Sequence, residues 1–214
     1  MASVKPISKA VIKRLPRYYR FLGELLKNGV VRISSRELSD RMGLTASQIR
    51  QDLNCFGGFG QQGYGYNIQE LQEEIGRILG LDQQTDVILI GAGNLGRAVA
   101  NHMDFDHRGF RLVGIFDQNP ALVGQEIKGI RILHTDEIER FCQAHSPEAA
   151  VLCIPKTATK AISDRLIPLG IKGFWNFSHY DLLDQHSGIV VENVHMSDSL
   201  MTLSYEIKDL LEKG

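Results

Sequence analysis

Residues 87–100, VILIGAGNLGRAVA, carry the densest chemical signal in this 214-residue chain. Gly91, Gly93 and Gly96 form the pattern G-x-G-x-x-G directly after an apolar run, and an amphipathic segment follows. That order of residue types suits a pyrophosphate. The first glycine permits a tight turn, the second lets the backbone approach phosphate oxygens, and the third lets a helix pack closely on the strand with its positive end under the anion. Gly91, Ala92, Gly93, Asn94, Leu95 and Gly96 are therefore expected to hold the phosphates. Twenty-one residues after Gly96 the strand-like LVGIFD ends in Asp117, the place for a carboxylate that accepts hydrogen bonds from adenosine ribose hydroxyls. Asp117 repels a ribose phosphate, and Gln118 and Asn119 supply no arginine to receive one, so NAD(H) is favoured over NADP(H) and over CoA.

A second set of residues suits base edges rather than phosphates. In SSRELSDRMGLTASQIRQDLNCFG, Ser35 can cap a short helix that turns Leu38 and Met42 inward, Gly43 allows a tight turn, and Thr45 caps a second helix. This is the grammar of a helix-turn-helix. Ile49 and Leu53 face a core, which leaves Ser47, Gln48, Arg50 and Gln51 outward. Glutamine and arginine are the side chains that pair bidentately with adenine and guanine in the major groove. The glycine-rich FGGFGQQGYGYNI reads as a hairpin wing, whose residues Gly60, Gln61 and Tyr64 would lie along the DNA, and Arg14 of the basic N-terminal region is expected to meet phosphate.

The elements needed to position these residues are legible around them. RLPRYYRFLGELLKNG reads as an amphipathic helix following a ragged basic arm, stopped at Asn28-Gly29. AAVLCIP and IKGFWNFS read as two more buried strands, separated by a helix over 159–169. In an open α/β sheet, ligands lie outside the carboxyl ends of the strands, so Pro155, Asn176, Phe177 and Ser178 are candidates to surround a nicotinamide. The last segment, SDSLMTLSYEIKDLLEK, carries more apolar surface than a lone terminal helix should expose and needs a sheet or a second subunit to pack against.

Charge separates the halves. Residues 1–60 contain eleven Lys and Arg against four Asp and Glu; the remainder contains thirteen against twenty-one. A basic first domain beside an acidic second one is expected when only the first touches DNA. The expected organisation is a winged-helix domain over 1–78, a Rossmann domain with a doubly wound parallel sheet over 79–195, and a terminal helix over 196–214. No apolar stretch approaches the roughly 20 residues needed to span a bilayer, and the N-terminus lacks the apolar core of a secretory signal, so a cytoplasmic protein is expected. Cys55, Cys142 and Cys153 lack CxxC spacing and predict neither a disulfide framework nor a metal site. Hydride-transfer catalysis would need an acid or base beside the nicotinamide, and no motif couples His102, His179 or His195 to a carboxylate. No catalytic residue is expected. An NAD-dependent dehydrogenase and a CoA-binding module, either fused to a DNA-binding domain, are the alternatives the sequence leaves.

Taken together, RLPRYYRFL, SSRELSDRMGLTASQIRQDLNCFG, GYGYNI, VILIGAGNLG, IFDQNP, LGIKGFWNFS and VENVHMSDSLMTLSYEI make the chain resemble the Rex family of redox-sensing transcriptional repressors along its whole length. The resemblance implies a homodimer, with the terminal helix exchanged between subunits, that binds pseudo-palindromic operator DNA when NAD+ prevails and releases it as NADH rises. It further implies that Phe105 approaches the nicotinamide of the other subunit. By the same resemblance Arg20 belongs to a switch contact, whose usual tyrosine and acid positions here hold His102 and His195, with Asp198 one turn later as a substitute acid.

Overall fold

The computed structural model describes residues 7–57, 65–183 and 186–213. The chain divides into two compact units, Met1–Asp82 and Gln83–Gly214.

In the first unit the elements are α1 (Lys9–Lys27), β1 (Arg32–Ile33), α2 (Ser35–Met42), α3 (Ala46–Asn54), β2 (Tyr66–Asn67) and α4 (Ile68–Ile78). The helix α1 begins before the expected Arg14, because the Ser8 hydroxyl accepts from the Val11 N–H and caps it. Pro16 then falls inside the helix. It is exposed, so water can meet the Ile12 carbonyl that proline leaves without an amide donor. Ser34 rather than Ser35 caps α2, since only Ser34 has a glutamate at the third helical position; Glu37 returns the bond to the Ser34 N–H in a capping box. Leu15, Tyr18 and Leu22 of α1 meet Leu38, Ile49, Leu53 and Ile75 in one core. β1 and β2 pair antiparallel, Ile33 opposite Tyr66. At Gly65, which enters β2 with φ +69°, a Cβ would lie 2.7 Å from the Ile33 carbonyl oxygen, so glycine is required there. The expected wing residues Gly60, Gln61 and Tyr64 lie outside the described residues.

The second unit runs β3 (Thr85–Ile90), α5 (Asn94–His102), β4 (Phe110–Asp117), β5 (Glu126–Ile127), β6 (Ile130–His134), α6 (Ile138–His145), β7 (Ala149–Leu152), α7 (Lys156–Leu166), β8 (Gly173–Asn176), β9 (Val190–Asn193) and α8 (Met196–Lys213). Its seven-stranded sheet has the order β5-β6-β4-β3-β7-β8-β9, parallel except for the small antiparallel edge pair β5 and β6. Without β5 this is the strand order of a doubly wound dinucleotide fold, and the order reverses between β3 and β7. Ile88, Ile90 and Phe116 pack against Ile138 and Cys142 of α6 and Leu166 of α7; Val87, Leu89 and Ile115 pack on the other face against Val99 and Ala100 of α5. Burial on both faces is why residues 87–90 read as an unbroken apolar run. The expected helix over 159–169 starts earlier, at Lys156, with Pro155 at its cap, and gives way to a 3-10 turn at Ile167–Leu169 where Pro168 removes an amide donor.

Among the described residues, two apolar surfaces are left over. Beyond α5 the same sheet face is bare, forming a groove of about 410 Å³ lined by Phe105, Phe110, Val151, Trp175 and Val190 among others. None of the residues of α8 is buried: Leu200, Met201, Tyr205, Leu210 and Leu211 are each 64–76% exposed.

Candidate functional site

The glycine loop joins β3 to α5 at the point where the strand order reverses. Its three glycines do three different jobs. Gly91 has φ +96°, and a Cβ there would sit 2.5 Å from the Cys153 carbonyl oxygen. A Cβ on Gly96 would lie 1.8 Å from the Gly91 carbonyl oxygen, so α5 can approach the loop only because this residue has no side chain. Gly93 differs: its backbone is extended (φ −68°, ψ −166°), and a Cβ would meet nothing within 4 Å. Neither strain nor packing requires a glycine at that position. What it leaves is open space over the N-terminus of α5, where Gly93 as cap offers no side chain to the first-turn N–H groups of Asn94, Leu95 and Gly96. An open cradle of unmet donors at a positive helix end is the physical requirement for a pyrophosphate.

Asp117 stands at the end of β4 beside this loop. Its two carboxylate oxygens accept from the backbone N–H groups of Ala92, at 2.6 Å, and Asn119, at 2.8 Å. Each oxygen keeps a further lone pair, so the fixed carboxylate can still accept from a ribose hydroxyl. The glycine loop, the helix end and the acid thus fit the adenosine and pyrophosphate of a dinucleotide.

On the other side of the reversal, at the ends of β7 and β8, the expected residues separate into two kinds. Pro155 is exposed and Phe177 half-buried, with the Phe177 ring edge-on to Trp175 at 4.7 Å between centroids. Asn176 and Ser178, by contrast, are buried and turned inward. The Asn176 amide donates to the Tyr180 carbonyl and to Asn193 Oδ1, at 2.9 and 2.8 Å, while its oxygen accepts from the Ser178 N–H and hydroxyl. These two residues tie the loop after β8 to the end of β9 and reach a ligand only through the loop they shape. Phe105 is also buried within its own unit, in the wall of the apolar groove. The Cys153 thiol is pushed up to about 12 by burial, which keeps it protonated and unreactive at neutral pH.

The expected switch residues divide between the units. Arg20 is exposed on α1. In the second unit His102 is exposed at the end of α5, and the Nδ1 atoms of His195 and His179 lie 3.1 Å apart, so that one ring donates and the other accepts. The Asp198 N–H donates to the His195 carbonyl and starts α8.

In the first unit, α2 ends at Gly43 with φ +62°, and the Thr45 hydroxyl accepts from the Gln48 N–H to start α3. Ser47, Arg50 and Gln51 are exposed as expected, and Asn54, one turn on, completes the same face. Asn54 is not among the residues expected from the sequence; its spacing, three residues beyond Gln51, is the signal that points to it. Arg50 rests on the Ser35 hydroxyl at 3.0 Å, and the exposed Cys55 thiol sits just beyond, donating to the Gln51 carbonyl.

Arg14 is placed otherwise than expected. Both arms of its guanidinium donate to the carboxylate of Asp52 on α3, at 2.6 and 2.7 Å. Asp52 is fully buried and also accepts from the Tyr18 hydroxyl at 3.0 Å and the Gln48 amide at 2.8 Å. Burial alone raises the Asp52 carboxyl, but the hydrogen bonds from Arg14, Gln48 and Tyr18 prevail and hold it below its ordinary value. A phosphate role for Arg14 would have to compete with this short bidentate pair. Asp52 itself gave no warning in sequence beyond its place on the inward face with Ile49 and Leu53.

Comparison with known proteins places these features in context. Residues 6–54 match the family model for a putative DNA-binding protein N-terminus, and residues 82–180 match that for a CoA binding domain. The redox-sensing transcriptional repressor Rex of Thermoanaerobacter pseudethanolicus is 53% identical over 98% of this chain and 93% of its own length. That of Clostridioides difficile is 52% identical over 98% of this chain and 99% of its own. Among solved structures, the chain is similar to RSP in complex with beta-NAD+ and operator DNA, with 53% identity, a TM-score of 0.89 and coverage of 98% and 97% of the two chains. It is similar also to RSP in complex with beta-NADH, with 50% identity, a TM-score of 0.88 and coverage of 97% and 98%.

Proposed function

Because this chain belongs to the Rex family of redox-sensing transcriptional repressors, we propose that it reads operator DNA with α3 and lets go of it when NADH fills the crevice beside Gly93. Members of that family are regulators rather than enzymes. The observation that supports the reading for this chain is the cradle itself: Gly91 and Gly96 are needed for the fold, whereas Gly93 leaves open space that neither backbone strain nor packing requires.

The nicotinamide ring is cationic when oxidised and neutral when reduced. Pro155 and Phe177 offer it an apolar wall, and apolar surroundings resist a charge that they cannot solvate. The reduced cofactor therefore enters this wall more deeply, and the state of the protein that encloses it is favoured. A ligand shifts such an equilibrium only by its differential affinity for the two states; a coupling of about 1–3 kcal/mol changes operator affinity roughly 5- to 150-fold.

The working form is a homodimer acting in the cytoplasm. The apolar side of α8 and the groove lined by Phe105, Trp175 and Val190 each lack a cover among the described residues of one chain, and a second copy supplies both. A symmetric operator then requires two α3 helices about 34–36 Å apart, or a multiple of that. In this assembly Phe105 approaches the cofactor of the partner, and Arg20, with His102, His195 or Asp198, forms the contact that differs between the bound and released states.

The test is a titration of a palindromic operator across NADH/NAD+ ratios by fluorescence anisotropy, with light scattering to give the mass. NADH should release the DNA and NAD+ should not. Equal weakening by both would refute redox sensing. A CoA arm checks the second reading, suggested by the family match over residues 82–180: CoA should fail to displace NADH, because its ribose phosphate meets Asp117.

A further inference from the structure

The capping of α2 leaves one hydroxyl without a helical task. Ser34 and Glu37 close the capping box, so Ser35 at the first helical position has no part in the cap. Its hydroxyl oxygen instead accepts from Nη1 of Arg50, 15 positions later on α3, at 3.0 Å. Ser35 is half-buried in the first turn of α2, and its short side chain makes that oxygen a fixed point. Arg50 is exposed on the reading face, where it lines an open hollow with Ser47, Gln51, Asn54 and Cys55. The contact therefore reaches from α2 to the arginine of that face.

Which nitrogen is held matters. A guanidinium is planar and trigonal, so the edge formed by Nε–H and one Nη2–H points directly away from Nη1. The bond to Ser35 uses one N–H of Nη1 and leaves that edge untouched, and among the described residues none accepts from Nε or Nη2 of Arg50. The same edge makes two-point contacts elsewhere in this chain: Arg14 grips Asp52 with it, and Arg111 grips Asp86. Its two parallel donors match O6 and N7 of guanine. We propose that Ser35 is a positioning residue for base reading: by holding Nη1 it fixes the Arg50 guanidinium with its two-donor edge turned away from α2 and toward a guanine in the major groove. This rests on the reading of α3 as the operator-binding helix. An unheld arginine must order a long, rotamer-rich side chain when it meets the base, and ordering one such side chain on binding lowers affinity roughly 2- to 10-fold. Ser35 orders it beforehand.

The experiment measures binding of the full-length protein to an operator that the wild type selects from random-sequence DNA, and to a panel with each base pair of a half-site replaced in turn. Arg50→Ala first locates the pair read by residue 50. At that pair Ser35→Ala should reduce the preference for guanine roughly 2- to 10-fold. Affinity for operators already altered there, the salt dependence and the thermal melt should stay as in the wild type, because phosphate contacts and the Ser34 cap are retained. Ser35→Thr, which keeps the hydroxyl, should retain the preference. In an Arg50→Ala background Ser35→Ala should have no further effect at that pair. Equal weakening of every operator by Ser35→Ala, an unchanged guanine preference, or an undiminished effect in the Arg50→Ala background overturns the proposal. Failure of the wild type to select any sequence, or an even loss over all pairs in Arg50→Ala, would instead remove the reading on which it stands.

Discussion

Replacing Gly93 by valine separates ligand binding from folding. The local backbone is extended, with φ −68° and ψ −166°, which valine adopts without strain, and a Cβ would meet no atom within 4 Å. Valine is a poorer N-cap than glycine by roughly 1 kcal/mol, and the loss of glycine's freedom in the unfolded chain returns about 0.4–1 kcal/mol. The fold should therefore change by less than about 1 kcal/mol. The ligand should feel the substitution strongly, because the isopropyl group occupies the space into which the first-turn N–H groups of α5 point. Losing a close, charge-assisted approach of phosphate to those donors costs about 3 kcal/mol or more, at least 100-fold in Kd. Gly96→Ala is the counter-case: its Cβ would fall 1.8 Å from the Gly91 carbonyl oxygen, so this smaller substitution should disrupt the fold. Calorimetric titration with NADH and thermal melts of both variants give the two readouts. Wild-type NADH affinity in Gly93→Val, or a normal melt for Gly96→Ala, would refute the division of labour among the glycines; in cells, Gly93→Val should remain on its operator at high NADH.

Five more outcomes follow from the same geometry. Asp117→Ala should weaken NADH roughly 10- to 100-fold through the lost ribose hydrogen bonds and should narrow the preference over NADPH; an unchanged calorimetric Kd would argue for another ligand. Arg50→Ala should cost about 1–3 kcal/mol at one base pair and relax specificity there, so uniform weakening on all sequences would count against base reading. Arg14→Ala leaves Asp52 buried without its main partner and should destabilise the first unit by about 3–5 kcal/mol, checked by denaturant unfolding. The Asp52 carboxyl titrates below its ordinary 3.8 in the folded state, so the stability it contributes is present above that pH and is lost as pH falls through the depressed value; Asp52→Asn should flatten the acid limb of the stability profile, and an unaltered limb would show that other carboxylates dominate it. Finally, if the proposed homodimer forms through α8, Leu210→Glu with Leu211→Glu should yield a monomer in light scattering without lowering the helical signal, since both side chains are more than 70% exposed within one chain.

The residue pattern alone was sufficient where the physics is local. A cap, a left-handed glycine and an apolar period are short-range demands, so Thr45, Gly43 and the inward pair Ile49 and Leu53 could be read directly, and so could the glycine loop, whose strand, turn and helix are contiguous. Asp117 was legible for a related reason, since one right-handed crossover has a narrow range of lengths. The start of α1 was missed because Pro16 and the charged residues before it resemble a helix boundary, whereas an exposed proline within a long helix is tolerated when the rest of the helix packs.

The order of the sheet, and with it the bare groove beside β7 and β8, depended on which strands pair across the fold, a matter of long-range register. Tertiary packing also decided what the polar residues at the two sites do. Arg14 and Asp52 are 38 positions apart, and Asn176 and Asn193 are 17 apart. In sequence Arg14 and Asn176 look like groups available to a ligand. Burial makes an unpaired charge or amide costly, so the fold turned Arg14 and Asn176 inward to partners and left Ser47, Arg50, Gln51 and the space at Gly93 to face outward. Residue types and spacing determined which chemistry this protein can perform; the three-dimensional pairing of its buried polar groups determined which of those residues remain free to perform it.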